Sequence, residues 1–233
     1  MPLSVLRAGT LKIETGQQLD SEAFRNDFVR SGYRFVSQVL EHGDIAVRGS
    51  LVDIFPMGSR RPYRIDLLDD EVDSIRVFDP ETQRSDRQVE RIDVLPASEV
   101  SLTGETINRF RSSWRERFPG NPATSLIYKD VSNGIAPAGL EYYLPLFYER
   151  TSMLFDYFGP GMCVVVDEDV DAAAEAFWHD ANERYEQGSP RGEQPLLPPA
   201  EMFIPPAELY ARIDACPRIH TSGLAAPAGD GAV

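Results

Sequence analysis

Apolar positions change period twice along the chain, and those changes divide it. Two short apolar groups, near residues 3–6 and 11–13, predict extended pieces in an irregular lead-in. Residues 21–31 have helical spacing: Phe24 and Phe28 share a face, Asp20 can cap the first turn and Gly32 can supply a left-handed stop. From Asp44 the period falls to two. Residues 45–55 predict one long strand bulged at Gly49, and residues 63–68, 72–78 and 89–95 predict three more, with polar turns between them. Closely spaced strands joined by short turns make an antiparallel meander. One face of that sheet is expected to pack on the 21–31 helix, leaving the other rich in charge.

Past Pro96 the helical period returns. Thr103 can cap a helix over 104–118, with Ile107, Phe110, Trp114 and Phe118 on one stripe, and residues 125–132 predict a second helix stopped by Gly134. The aromatic-rich stretch 137–158 reads as core or domain seam. Residues 162–166 are wholly apolar, the pattern of a strand buried on both faces. A helix over 170–187, with Ala174, Phe177 and Ala181 inward, another over 208–215 and a strand at 217–221 complete a parallel α/β unit. The tail 222–233 is small and polar without periodicity and is expected to be disordered. The fold class is therefore α/β, α+β overall: a β-meander with a packed helix, then a parallel α/β part. No internal repeat is present.

Charge sharpens this picture. The chain carries 37 acids against 23 bases, a net of −14, and every base except Lys12 and Lys129 is arginine. A broad DNA-gripping face is disfavoured, because phosphate binding depends on Lys and Arg displacing counterions. Eight arginines nevertheless fall between Arg48 and Arg91 among many acids, which marks that stretch as a partner surface. Arginine suits planar, bidentate pairing with carboxylates. No apolar run approaches the roughly 20 residues of a membrane span, the N-terminus has no secretory pattern, and Cys163 and Cys216 are too few for a disulfide framework. A cytoplasmic setting with no membrane contact is expected.

Catalytic and nucleotide signatures are missing. No G-x-x-x-x-G-K-[ST], G-x-G-x-x-G or G-x-S-x-G occurs. His42, His179 and His220 match no metal-ligand spacing, and the acidic run at 167–171 lacks the glycine and closing glutamate of a calcium loop. No catalytic, metal or cofactor-binding residue is assigned.

The segment Arg48-Gly49-Ser50-Leu51-Val52-Asp53-Ile54-Phe55-Pro56 carries the pattern R-G-x, two apolar residues, an acid, I or L, then F-P. Tyr63-Arg64-Ile65-Asp66, the run from Asp69 to Asp79, Gln83-Arg84-Ser85 and Leu95-Pro96-Ala97 follow in order. Glu41-His42-Gly43, Pro137-Ala138-Gly139-Leu140-Glu141-Tyr142, Pro145-Leu146-Phe147 and the 194–199 segment extend the match. Over about residues 18–220 the chain resembles the UvrB-homology module of bacterial transcription-repair coupling factors, ATP-driven DNA translocases that displace stalled RNA polymerase.

That resemblance implies a lead-in at 1–18, a UvrB domain 2-like docking domain at 19–97 and part of a RecA-like, UvrB domain 1-like α/β domain at 98–221. The first half of the latter would precede Met1. It implies docking on UvrA, the damage sensor of nucleotide excision repair, through Arg48, Arg64, Asp66 and Leu68. An aromatic residue is common at the position of Leu68, which keeps the apolar contact and loses the ring. Strand alternation places Arg64, Asp66 and Leu68 on one face. ATP and Mg would serve the motor elsewhere in such a protein, RNA polymerase and DNA would meet its other domains, and one of those domains could mask the docking face.

Internal pairing of these arginines with Asp53, Asp66 or Glu71 is the alternative to docking, which needs at least two of them free and facing outward. Charge reversal at Arg48 or Arg64 is expected to abolish UvrA binding and leave the fold intact. Two other classes stay open from the sequence: a DNA-binding module of a UvrB-like repair helicase, and a residual nucleotidase.

Overall fold

The computed structural model describes residues 1–159, 161–188 and 194–221; the tail at 222–233 lies outside the described residues. The chain divides into two compact units. The first comprises Met1–Ala123 and Ile127–Thr151, and the second holds Thr124–Leu126 with the described residues from Ser152 onward. Helices and strands are mixed throughout, and the fold is α+β.

The first unit opens with α1 (Leu3–Gly9), β1 (Leu11–Glu14) and α2 (Ser21–Arg30), and continues through β2 (Arg34–Phe35), β3 (Asp44–Arg48), β4 (Leu51–Ile54), β5 (Tyr63–Leu68), β6 (Glu71–Phe78), β7 (Ser85–Val89) and β8 (Arg91–Val94). Strands β2 to β7 form a six-stranded sheet in chain order, antiparallel except where β2 runs parallel to β3. Strands β1 and β8 form a separate antiparallel pair.

Helix α2 starts where Asp20 accepts hydrogen bonds from the N–H groups of Glu22 and Ala23, at 2.9 and 2.8 Å. It stops at Gly32, whose φ of +82° suits glycine and whose added Cβ would lie 2.4 Å from that of Ser98. Phe24 meets Phe28 edge-on at 4.6 Å. Phe28 is buried with Ile45, Val52, Ile54, Ile65 and Ile75 on one face of the sheet, and Ile13, Ile92 and Val94 of the small pair join this core. At one end of the other face lies a second core of Val39, Ala46, Phe55 and Phe78, with Val36 packed on it. That face is charged only over its remaining area.

Several elements depart from the sequence expectation. Residues 3–9 are helical, because a short apolar run fits either period and the 4-residue backbone turn closes here, with Thr10 donating its hydroxyl to the Leu6 carbonyl at 2.7 Å. Gly49 does not bulge a long strand; with φ of +60° it opens a two-residue hairpin turn between β3 and β4, where a glycine at the first turn position matches strand twist. The fourth expected strand is β8, which leaves the large sheet to pair with β1, and that sheet is closed instead by β7, a strand not expected from the sequence.

After the meander, Thr103 caps α3 (Gly104–Arg117) in a capping box with Thr106. Phe110, Trp114 and Phe118 from α3, Tyr128 from α4 (Leu126–Ser132), and Tyr143 and Phe147 form one aromatic cluster, with Phe110 stacked on Phe147 at 4.8 Å. Not all the aromatic stretch is buried, since Tyr142 and Phe158 are exposed.

In the second unit, β9 (Val164–Val166) pairs in parallel with β10 (Arg218–His220), with α5 (Val170–Gly188), α6 (Pro199–Met202) and α7 (Pro206–Asp214) between them in sequence. Strand β9 is not buried on both faces: Val165 is 64% exposed, as its sheet has two strands among the described residues. Phe177 of α5 is likewise exposed, although it meets Phe203 edge-on at 5.0 Å. Among the described residues no helix is long and apolar enough to cross a membrane.

Tyr33 ties α2 to the end of the meander, donating to the Leu95 carbonyl at 2.7 Å and accepting from the Met57 N–H at 3.3 Å. Burial pushes its phenol up to about 12, opposed by the Met57 hydrogen bond. Its neutral form is favoured in the folded state. The associated stability is complete below the ordinary tyrosine pKa of 10.0 and is lost as pH rises through about 12. Spectrophotometric alkaline titration should show late tyrosine ionisation accompanying unfolding in that window, and Tyr33→Phe should reduce its amplitude by one tyrosine.

Candidate docking face

Side chains alternate across β5, so Ile65 and Leu67 join the α2-side core while Arg64, Asp66 and Leu68 take the opposite face. Register extends this into rows. Ala46, Asp53, Arg64, Arg76 and Gln88 lie opposite one another on successive strands, and Arg48, Leu51, Asp66 and Ser74 form the adjacent row. Three arginines and two aspartates thus interleave on one sheet face.

Asp53 is the anchor of this lattice. Its side chain is 1% exposed, and both oxygens are engaged. Oδ1 accepts from Arg64 Nε at 2.7 Å and Oδ2 from Arg64 Nη2 at 2.8 Å, a bidentate pair. Arg48 Nη2 donates to the same Oδ2, and its Nη1 reaches the Ser37 carbonyl at 3.2 Å. Arg64 is further held by the Gln83 carbonyl at 3.1 Å and by Phe78, whose ring lies 4.8 Å beneath the guanidinium. Hydrogen bonding to Asp53 raises the Arg64 pKa further, against the opposing effect of partial burial.

A second, more open group adjoins it. Arg76 Nη2 donates to Asp66 Oδ2, and Ser74 Oγ bridges them, accepting from Arg76 at 3.2 Å and donating to Asp66 at 3.1 Å. Arg64 and Arg76 are direct cross-strand neighbours, and two like charges in that position repel unless acids intervene. Asp53, directly opposite Arg64 on its other side, and Asp66, diagonal to Arg76, offset that repulsion.

The four residues singled out from the sequence therefore share one face, in unequal settings. Leu68 projects at the end of β5, past a register shift between Asp66 and Leu67, and is 69% exposed. Arg48 is accessible, with 44% of its side chain exposed, whereas Arg64 is 16% exposed and serves mainly to neutralise Asp53. Neither arginine is unpaired, so the condition drawn from the sequence, that at least two of them be free and facing outward, is not met: both pair with Asp53, and only Arg48 is substantially exposed. They share one carboxylate, so the pairing leaves a positive charge over. Reversing Arg64 would set a carboxylate against buried Asp53, where the fold is not expected to stay intact as the sequence had suggested; Arg48 shares that carboxylate but is 44% exposed, so its reversal is the one to be tested. Sequence reasoning missed Arg76, whose signal was its place between the inward residues Ile75 and Val77 of β6.

Residues 11–100 match the UvrB interaction domain family model. Over 219 residues the chain is 42% identical to the transcription-repair-coupling factor of Escherichia coli, covering 94% of this chain and 19% of that protein. The corresponding protein of Haemophilus influenzae is 40% identical over 94% of this chain and 19% of its own length. That of Myxococcus xanthus is 30% identical over 96% and 20%. The chain spans about a fifth of the length of these curated relatives.

Proposed function

The chain belongs to the transcription-repair-coupling factor family, and from that membership we propose that its outer sheet face docks UvrA and that the chain itself performs no reaction. The observation that carries this is the charge of the face. In a chain with a net charge of −14, three arginines meet two aspartates on one sheet surface, beside an exposed leucine. Arginine around an apolar centre is the usual anatomy of an energetic protein–protein contact. Arg48 and Leu68 make the principal contacts, with Asp66 at the rim and Arg64 fixing the geometry through Asp53.

In the whole protein, an ATP- and Mg-dependent translocase that displaces stalled RNA polymerase in the cytoplasm, this region recruits the excision-repair machinery to the lesion. RNA polymerase and DNA engage other domains. One of those domains covers the docking face until polymerase is bound. Purified UvrA should be retained by the immobilised chain and released as salt is raised, because the contact is charge-assisted. Failure of the folded chain to retain UvrA at low salt would reject the proposal.

A further inference from the structure

We infer that Arg76 is a further partner-contacting residue of this face, offering its guanidinium to a carboxylate of the docked protein while Asp66 and Ser74 hold it in place. The inference rests on the docking function proposed above and assigns it a residue that lies in the matched Asp69–Asp79 run but was not among the docking residues the resemblance implied.

The two cross-strand arginines differ in what their donors do. Arg64 spends Nε, Nη1 and Nη2 on Asp53, the Gln83 carbonyl and Ser85 Oγ. Arg76 spends only Nη2, on Asp66 and Ser74; among the described residues its Nε and Nη1 protons meet no acceptor. Its side chain is 42% exposed against 16% for Arg64. With Nη2 committed, the free Nε–H and Nη1 protons lie on opposite sides of the guanidinium, and each can donate singly to a partner carboxylate without giving up the existing bond.

Its intramolecular pair also suits exchange. Asp66 is 22% exposed, so the pair sits in contact with water, where such bonds are weak and easily shared. Asp53, at 1% exposure, cannot release Arg64 without stranding a buried charge. The bridging Ser74 hydroxyl fixes the Arg76 side chain before the partner arrives, which lowers the ordering cost of binding. Arg76 lies one strand beyond Arg64, so the contact surface reaches across β6 as well as β3 to β5.

The test titrates purified UvrA against the chain and its Arg76→Ala, Arg76→Lys and Arg48→Glu variants, with circular dichroism of each. Arg76→Ala should raise Kd about tenfold and flatten its salt dependence, and Arg76→Lys, which keeps the charge but not the spread of donors around the guanidinium, should fall in between. Wild-type affinity in Arg76→Ala beside a clear loss in Arg48→Glu overturns the inference and leaves docking standing. Wild-type affinity in both refutes the docking function itself. Should Arg76→Ala not fold, Arg76→Lys decides: a higher Kd supports the contact and an unchanged one overturns it.

Discussion

Asp53→Ala is expected to destabilise the first unit by about 3–5 kcal/mol, the range for removing one member of a buried ion pair. The carboxylate is almost fully enclosed and serves Arg64 through both oxygens while also accepting from Arg48. Without it, two guanidinium groups face each other across β3 to β5 with no acid between them. Arg64 cannot swing into water freely, as it is held by Gln83, Ser85 and the Phe78 ring. Urea unfolding of Asp53→Ala should show this loss. Asp53→Asn, which keeps one oxygen acceptor and the side-chain volume, should lose less. A variant as stable as the wild type would show that the lattice contributes little to the fold.

Arg48→Glu should weaken UvrA binding by about 30-fold or more, in line with the roughly 2–5 kcal/mol lost when one partner of a desolvated interfacial charge pair is removed. Its effect on stability should be small. Arg64 remains bidentate on Asp53, and the substituted side chain starts from a position open enough to turn into solvent. The contrast between the two substitutions separates the groups that build the face from the groups that use it. Unfolding curves and binding isotherms on the same preparations would show whether that separation holds.

Much of the scaffold was legible in the sequence because its signals are local. Asp20, Phe24, Phe28 and Gly32 delimit α2, and Thr103 with the Phe110–Trp114–Phe118 stripe delimits α3. What was illegible depended on partners distant in the chain. Alternation showed that residues 45–55 were extended, but only the left-handed Gly49 turns them back as a hairpin. Residues 89–95 read as the next strand of the meander because nothing local tells that β8 departs to pair with β1, and β7 was missed because its polar, mostly exposed residues show no apolar alternation. The run Val164–Val166 is apolar enough for a doubly buried strand, yet burial depends on how many strands flank it. On the face proposed for docking, alternation placed Arg64, Asp66 and Leu68 together, but could not divide Arg64 from Arg76. That difference arises from Asp53, eleven residues before Arg64 in sequence and directly opposite it in the sheet.

The central claim is that an arginine-bearing sheet face in an acidic chain receives UvrA. It is tested most directly by titrating purified UvrA with the intact chain and with Arg48→Glu in one low-salt buffer, with the fold of each monitored by circular dichroism. Saturable binding by the wild-type chain, and its loss in an equally folded variant, is the predicted result. Equal affinity for both, or no binding by the folded wild-type chain, would contradict it.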